Sequence, residues 1–266
     1  MLVTDKWQLV SGYKTEKLST PDCQAGATEL RTNNMNIRLL STLYFAIGII
    51  FMALETIGST WPAMVAKALI IPVLVILYLE LIKGQMNGFH RLILSALVFS
   101  WLGDVTLHLQ GKNDMFFIIG LSCFLLAQVI YLIAFFSTKG ENVLFFKKFY
   151  LIIPVILYGV IMLYILYNHL GDMKVPVIIY TIVILTMLTA ALNRQNKVNR
   201  QSYILVLVGA ILFVLSDSIL AINKFGYPFI LSRVANMTTY ILAQYLIVLG
   251  CLKQFGIEFK WKNYIP

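Results

Sequence analysis

The sequence predicts an all-α integral membrane protein with eight transmembrane helices. Hydrophobic residues make up 59% of its 266 residues, charged residues make up 12%, and the mean hydropathy is +0.82. An ordinary globular domain has about 25% charged residues. The charges lie between apolar stretches of about twenty residues, the length that a helix needs to cross a hydrocarbon core of roughly 30 Å. Spanning helices rather than barrel strands are therefore predicted.

Eight apolar stretches separated by short connections predict one compact bundle. The predicted spans are 37–54, 63–82, 91–109, 115–136, 149–167, 174–192, 202–222 and 234–252. They define a membrane domain over residues 35–255, which follows a polar, disordered extension over residues 1–34 and precedes a cytoplasmic tail over residues 256–266. Met35 directly precedes the first span, so Met1 and Met35 are both candidates for the start of the chain.

The basic residues predict the orientation of the bundle. With eight spans, both termini lie on one side, and that side carries 16 of the 21 Lys and Arg residues. Because cytoplasmic segments are enriched in Lys and Arg, both termini are predicted to be cytoplasmic. The expected location is the plasma (inner) membrane of a bacterium. The net charge of +9 then reflects topology and anionic headgroups, and no nucleic-acid partner is expected. The other side carries Lys67, Lys112, Lys174, Lys224 and Arg233.

The cysteines do not predict a metal site or a disulfide framework. Cys23, Cys123 and Cys251 lack the spacing of metal ligands. No metal or other cofactor is expected. Bilayer lipids are the expected partners, and a homo-oligomer is left open.

Two acidic residues lie inside apolar spans, Asp104 in the third and Asp217 in the seventh. A carboxylate at the centre of a spanning helix costs roughly 2.5 to 3.5 kcal/mol on insertion scales, so such residues usually mark a functional site. Glu55, near the end of the first span, is expected instead to reach the outer headgroups. The two aspartates are therefore the first candidates for chemistry.

The surroundings of the aspartates indicate an internal repeat of four spans. Copies that are four spans apart run in the same direction, which makes this a parallel repeat, and equivalent residues then lie at equal depth. Both carboxyl groups are expected roughly 20 Å from the cytoplasmic end of the bundle, facing one another. Three pairs occur in the same order: Asp104 and Asp217, Gln128 and Gln244, and Pro72 and Pro176.

Polar side chains at helical spacing predict a shared interior cavity around the aspartates. Residues three or four apart lie on one helix face, and a lipid-facing surface would not carry such rows. Each of these residues could also be an ordinary interhelical hydrogen-bond partner, worth about 0.6 kcal/mol. The rows are Ser100, Asp104 and His108 in the third span, Gln128 and Tyr131 in the fourth, and Asn236, Tyr240 and Gln244 in the eighth.

These motifs resemble those of the YhhN-like membrane proteins, a family that includes the animal lysoplasmalogenases. The resemblance covers roughly residues 37–252. One position departs from the pattern, because Gln128 stands where a histidine is expected. The matching residues are Lys67, Pro72, Phe99 to Asp104, Phe117, Gly120, Phe124, Ala127, Tyr131, Pro176, Tyr180, Met187, Ala190, Gly209, Ala210, Phe213, Ser216, Asp217, Tyr240, Ala243 and Gln244.

The resemblance implies hydrolysis of the vinyl ether bond of lysoplasmenylethanolamine or lysoplasmenylcholine, giving a fatty aldehyde and glycerophosphoethanolamine or glycerophosphocholine. This reaction needs an acid and a base, and Asp104 and Asp217 are the candidates, with the assignment between them open. Lys67 is a candidate for binding the phosphate. The candidates for supporting the carboxyl groups, water and substrate are Ser100, Gln128, Tyr131, Tyr180, Ser216, Asn236, Tyr240 and Gln244.

A proton-coupled transporter is the alternative function, with the same two aspartates as a proton relay. Transport helices are often unwound at their binding site by paired Gly or Pro interruptions. The aspartate-bearing spans lack such a pair, since Ser216 stands opposite Gly103. The enzyme is therefore the favoured prediction.

Overall fold

The computed structural model describes residues 21–109, 113, 115–140, 149–227, 229 and 231–257, with side chains from residue 36 onward. Throughout this part of the chain the regular structure is helical, without a β-strand, and eight helices are long and apolar enough to cross a membrane. The helices are α1 (Pro21–Thr56), α2 (Thr60–Ile82), α3 (Gly88–His108), α4 (Met115–Phe136), α5 (Ile152–Leu166), α6 (Lys174–Leu192), α7 (Arg200–Phe225) and α8 (Ser232–Lys253).

The predicted all-α fold and the eight spans are confirmed, and most helix ends agree with the predicted spans to within a few residues. Helix α1 differs, because its backbone is already helical at Pro21, inside the extension that was predicted to be disordered. Each residue added to an existing helix gains a backbone hydrogen bond, so a helix extends readily beyond its membrane span. The span within α1 is Asn36–Thr56. Residues 1–20 and 258–266 lie outside the described residues.

Seven of these helices pack in a closed series, and α5 lies beside it. Contacts run from α1 to α2, α3 and α4, then to α6, α7 and α8, and α8 returns to α1 and α2. Helix α5 packs against α6 and α7. Its span is 11% buried, compared with 56% for α8. A helix that is apolar on its outward surface suits contact with lipid, and α5 is the most lipid-exposed of the described spans.

Two glycines allow α7 and α8 to approach closely. A Cβ atom at Gly209 would lie 2.9 Å from the backbone oxygen of Ala243, and one at Gly250 would lie 2.8 Å from the backbone nitrogen of Val206. Small residues permit this kind of contact between membrane helices. The approach places the polar face of α8 against the helix that carries Asp217.

Arg194, in the connection between α6 and α7, joins three helices at the end of the bundle remote from the aspartates. Its side chain is fully buried, and its Nη2 atom donates to Ser202 Oγ and Gln254 Oε1, both at 3.0 Å. The guanidinium carbon also lies 5.2 Å from the centroid of the Phe135 ring. Burial lowers the pKa of Arg194, because desolvation disfavours the charged form.

The two prolines that were paired in the predicted repeat occupy different positions. Pro72 lies in the interior of α2, whereas Pro176 lies in the first turn of α6. A proline in the first turn removes no intrahelical hydrogen bond, while one in the interior does. This pair therefore gives the repeat no support.

Candidate active site

Asp104 is held by charged and polar groups from two other helices. Its side chain is almost completely buried on α3, with 2% of the residue exposed. Lys67 on α2 places its Nζ atom 3.5 Å from Asp104 Oδ1, and the Tyr240 hydroxyl on α8 donates to Oδ2 at 2.7 Å. A buried charge is tolerated when it is paired and hydrogen-bonded. These contacts favour an ionised Asp104.

The pairing of Lys67 with Asp104 depends on how α2 packs against α3. The indole Nε1 of Trp101 donates to the backbone oxygen of Ala68 at 2.8 Å, which fixes the register of the two helices next to Lys67. The Lys67 ammonium also lies 5.9 Å from the centroid of the Phe51 ring on α1. Lys67 was predicted as a phosphate ligand, and its contact in this structure is the aspartate.

Asp217 has a different environment on α7. Its residue is only partly buried, and the Tyr180 hydroxyl on α6 donates to its Oδ2 atom. Among the described residues, no Lys, Arg or His forms an ion pair with Asp217. A carboxyl group without a cationic partner in an apolar setting favours its neutral form. The two aspartates thus have similar positions in sequence and unequal partners.

Asp104 and Asp217 line one cavity of about 400 Å³, whose mouth lies at the α1–α2 turn and the start of α8. The cavity could hold several water molecules, since each takes up about 30 Å³ in the liquid. The prediction that the two carboxyl groups share an interior cavity is met by this geometry. The other lining residues are Phe51, Glu55, Gly58, Ser59, Thr60, Lys67, Leu107, His108, Phe124, Ser216, Leu220, Asn223, Arg233, Asn236, Met237 and Tyr240.

A second, apolar pocket of about 70 Å³ adjoins this cavity, between α4, α5, α6 and α7. Leu107, Phe124, Asp217 and Leu220 line both spaces. Asp217 therefore stands where a polar cavity meets an apolar one. The remaining walls of the apolar pocket include Phe117, Leu121, Tyr158, Gly159, Met162, Leu163, Leu166, Val177, Tyr180, Thr181, Ile184, Leu185 and Val214.

A chain of buried hydrogen bonds leads from Asp104 into the bundle. Tyr240, which donates to Asp104, accepts from Gln244 Nε2 at 3.4 Å. Gln244 Oε1 in turn accepts from the Tyr131 hydroxyl on α4 at 2.7 Å. Tyr240, Gln244 and Tyr131, which the sequence placed on polar helix faces, thus form one network that orients the Asp104 carboxylate.

Ser216 and Asn236 form a second polar contact in the wall of the cavity. Ser216 Oγ on α7 donates to Asn236 Oδ1 on α8 at 2.7 Å and lies 3.1 Å from the Asn236 backbone oxygen. Ser216 precedes Asp217, so this contact fixes α7 against α8 beside the carboxyl group. Both residues were predicted as supporting groups.

Gln128 and Ser100 are fully buried and are not among the residues that line the cavity. Gln128 lies beside the Tyr180 hydroxyl. Neither its amide atoms nor Ser100 Oγ makes a hydrogen bond of standard geometry to another described residue. Among the described residues, Gln128 is linked to Asp217 through Tyr180, and Ser100 forms no hydrogen bond with either aspartate.

Two charged groups at the mouth of the cavity, Glu55 and Arg233, were not predicted as site residues, and His108, from the predicted polar row of the third span, also lines this space. Glu55, which was expected to reach the headgroups, forms an ion pair with Arg233 at 3.2 Å. His108 Nε2 lies 3.3 Å from the Thr60 backbone oxygen. Each charge lies at a span end, where Lys, Arg and Glu are common, so the sequence carries no signal that separates them from ordinary boundary residues.

Comparison with known proteins identifies the family. Residues 62–251 match the YhhN family. The chain belongs to this family. The match extends from α2 to α8 and includes both aspartates, Lys67 and Arg233, whereas Glu55 precedes it. No solved structure matches this chain.

Three mammalian relatives carry the name lysoplasmalogenase. Human lysoplasmalogenase TMEM86B is 29% identical over 195 residues, which cover 73% of this chain and 77% of the relative. The pig TMEM86B is 29% identical over 213 residues, covering 79% and 85%. The cattle lysoplasmalogenase TMEM86A is 31% identical over 161 residues, covering 59% and 64%. This member of the YhhN family is thus a multi-pass membrane protein similar to hydrolases, as predicted.

Proposed function

We propose that this YhhN protein hydrolyses the vinyl ether bond of a lysoplasmalogen, either lysoplasmenylethanolamine or lysoplasmenylcholine. The products are a fatty aldehyde and glycerophosphoethanolamine or glycerophosphocholine. The names of the similar proteins support this substrate class. The observation that carries the proposal is the position of Asp217, which lines both the polar cavity shared with Asp104 and the apolar pocket. In a lysoplasmalogen the vinyl ether bond likewise lies between a polar part, the glycerophosphate, and an apolar part, the long alkenyl chain.

The unequal partners of the aspartates suggest their roles. Two carboxyl groups in one low-dielectric cavity repel each other when both are ionised, so one holds a proton while the other stays charged. Lys67 and Tyr240 stabilise negative charge on Asp104. Asp217, which forms no ion pair with any residue that the structure describes, then holds the proton and acts as the acid. Tyr180 donates to one oxygen of Asp217, which leaves the other oxygen to carry the proton that is transferred.

The reaction begins with transfer of the Asp217 proton to the alkene carbon that is not bonded to oxygen. The resulting oxocarbenium ion is stabilised by the Asp104 carboxylate, which also orients a water molecule in the cavity. Water bonds to the ether-bearing carbon and gives its proton to Asp104, forming a hemiacetal. Collapse of the hemiacetal breaks the carbon–oxygen bond, and its hydroxyl proton passes to the departing glycerol oxygen. Transfer of a proton from Asp104 to Asp217 restores the starting state.

The polar networks keep the carboxyl groups in place for these steps. Tyr131 and Gln244 hold Tyr240 against Asp104, and Gln128 packs beside the Tyr180 hydroxyl that holds Asp217. Such support limits the reorganisation needed in the transition state. Lys67 lines the cavity too, so it could contact the substrate phosphate while it remains close to Asp104.

We also propose that the site lies between two parallel four-helix repeats. Asp104 is the seventeenth residue of α3 and Asp217 the eighteenth of α7, while Gln128 is the fourteenth of α4 and Gln244 the thirteenth of α8. The helix contacts α1–α2, α2–α3 and α3–α4 have counterparts in α5–α6, α6–α7 and α7–α8. The contact of α4 with α6 likewise corresponds to that of α8 with α2. These correspondences support a common origin for the two halves.

The proposed orientation places both termini in the cytoplasm of a bacterial cell. The mouth of the cavity is formed by the α1–α2 turn and the start of α8. These segments belong to the side with few basic residues, so the cavity would open toward the outer leaflet of the inner membrane.

Purified protein in proteoliposomes tests the proposed reaction. We expect release of fatty aldehyde from lysoplasmenylethanolamine without an ion gradient. The matching lipid with a saturated alkyl ether should give no aldehyde, because it has no alkene to protonate. Uptake of a solute that depends on a proton gradient, without aldehyde release, would instead show that the protein is a transporter.

A further inference from the structure

Glu55 and Arg233 form a charged pair at the mouth of the cavity that contains the aspartates. Glu55 lies in the last turn of α1 and Arg233 at the second position of α8. Arg233 Nη1 lies 3.2 Å from Glu55 Oε1. The side chain of Glu55 is 25% exposed and that of Arg233 is 71% exposed. Both can therefore be reached from the aqueous side.

The stabilising effect of this pair is small. Exposed ion pairs contribute about 0 to 1 kcal/mol. The helix dipoles oppose both charges, since the C-terminal end of a helix disfavours an acidic side chain and the N-terminal end disfavours a basic one. Stability thus gives little reason for placing a Glu and an Arg at these two positions.

The pair is placed where it can reach a ligand in the cavity. Glu55 and Arg233 line the same 400 Å³ space as Asp104 and Asp217. They also line an adjoining space of about 370 Å³, so there is room on both sides of the pair. Lys67, the other Lys or Arg among the described residues that line the cavity, is close to the buried Asp104. Arg233 is therefore the cation more free to bind a ligand.

We propose that Arg233 binds the phosphate and Glu55 binds the ammonium group of a zwitterionic lysophospholipid headgroup. This inference rests on the proposed function, which places the alkenyl chain in the apolar pocket and the vinyl ether at Asp217. The glycerophosphate then extends away from the apolar pocket and toward the mouth, where the pair lies. A guanidinium can bind a phosphate through two parallel hydrogen bonds, and a carboxylate accepts hydrogen bonds from an ammonium group. When the headgroup binds, the weak ion pair between Glu55 and Arg233 is replaced by contacts of Arg233 with the phosphate and of Glu55 with the ammonium group.

Binding of lipids that cannot be hydrolysed tests this site without relying on catalysis. The first probe is the saturated ether analogue of lysoplasmenylethanolamine, and the second is the matching alkylglycerol, which has neither phosphate nor amine. Arg233→Gln and Glu55→Gln should each weaken binding of the phospholipid about tenfold, whereas binding of the alkylglycerol should change less than about twofold. Lys174→Gln is the control, because Lys174 lies on the same side of the membrane, over the Tyr167 ring, and does not line the cavity.

A charge-swapped protein separates recognition from a structural role. Glu55→Arg combined with Arg233→Glu keeps an ion pair between α1 and α8 but reverses its polarity. We expect this double variant to melt at or slightly above the wild-type temperature, because the swapped charges suit the helix dipoles, and to bind the phospholipid as weakly as the single variants do. Restored phospholipid binding in the double variant, or equal weakening for both lipids in the single variants, would overturn the headgroup site.

The outcomes for the headgroup site and for the proposed function remain distinct. Phospholipid binding that depends on Glu55 and Arg233, in a protein that releases no aldehyde, would support the site and reject the hydrolase. Aldehyde release in a protein whose lipid binding does not depend on either residue would support the hydrolase and reject the headgroup site.

Discussion

Lys67 Nζ lies 3.5 Å from Asp104 Oδ1, and among the described residues no cation forms such a pair with Asp217. Asp217 is held instead by the Tyr180 hydroxyl. In the proposed mechanism this asymmetry makes Asp104 the charged group and Asp217 the proton donor. Substitutions at the two aspartates and at their partners test this proposed division of roles.

Removal of either carboxyl group should strongly reduce aldehyde release. Asp104→Asn and Asp217→Asn keep the shape of the side chain while removing its charge or its transferable proton. A positioned acid or base contributes about 100- to 10,000-fold to the rate, so kcat should fall within that range. The check is aldehyde release in proteoliposomes, with the melting temperature showing that both variants fold. Wild-type kcat in either variant would exclude that aspartate from the chemistry.

Replacement of Lys67 should reduce turnover through Asp104. In Lys67→Met the buried carboxylate loses its cationic partner, and its ionised form becomes less stable. We expect kcat to fall about tenfold to a hundredfold, with a smaller rise in KM because the lysine also lines the space that receives the substrate phosphate. Lys67→Arg keeps the charge and should retain most of the activity. A rise in KM alone in Lys67→Met would mean that this lysine serves substrate binding rather than Asp104.

The Tyr180 hydroxyl should matter more than a neighbouring hydroxyl that does not contact a carboxyl group. Tyr180→Phe removes the donor to Asp217, and we expect about a tenfold loss of kcat, the equivalent of one hydrogen bond of about 1.4 kcal/mol. Tyr158→Phe is the matched control, because its hydroxyl donates to Ser218 Oγ at 2.7 Å in the same apolar pocket. Equal losses in both variants would point to pocket packing rather than to control of Asp217.

The apolar pocket should set the preference for chain length. A Cβ atom at Gly159 would lie 2.3 Å from Leu185 Cδ1, so Gly159→Leu must displace the wall of the pocket or fill it. We expect kcat/KM for long-chain lysoplasmalogens to fall about tenfold or more, with a smaller loss for short chains. Val160→Leu changes a neighbouring residue that is 57% exposed and should leave the chain-length profile unchanged. An unaltered profile in Gly159→Leu would place the chain elsewhere.

Arg194 should stabilise the fold without taking part in the reaction. Arg194→Leu removes the hydrogen bonds from the guanidinium to Ser202 Oγ and Gln254 Oε1, and a hydrogen bond from a charged donor contributes about 1.5–3 kcal/mol. The melting temperature should fall, while the KM of the protein that remains folded stays at the wild-type value. Arg200→Leu, which changes an exposed arginine at the start of α7, provides the comparison. An unchanged melting temperature in Arg194→Leu would contradict the proposal that Arg194 stabilises the packing of these helices.

The sequence predicted the spans and the aspartates because both depend on local properties. The length of an apolar stretch and the cost of a carboxyl group within it can be read without knowing any neighbour. Tyr131, Tyr240 and Gln244 were found by helical spacing, and the structure joins them in one network. Spacing indicates that residues lie on one face of a helix, but it does not show which residues of other helices that face contacts.

Spacing also cannot show which neighbouring helix a residue faces, and this explains two features of the site that the sequence did not predict. The spacing of Ser100 and Gln128 placed them with the site residues, yet they are not among the residues that line the cavity, because the rotation of each helix depends on its packing. Glu55 and Arg233 lie at span ends, far apart in the chain, and only the closure of the helix series from α8 back to α1 brings them together.

The sequence by itself determined an eight-span helical protein of the YhhN type with two acidic residues in its interior. Only the tertiary structure decided that Lys67 pairs with Asp104, that Tyr180 pairs with Asp217, and that the second carboxyl group stands between a polar and an apolar space. The physical reason is that a span is specified by the free energy of moving its own residues into the bilayer, whereas a partner is specified by the packing of different helices against one another.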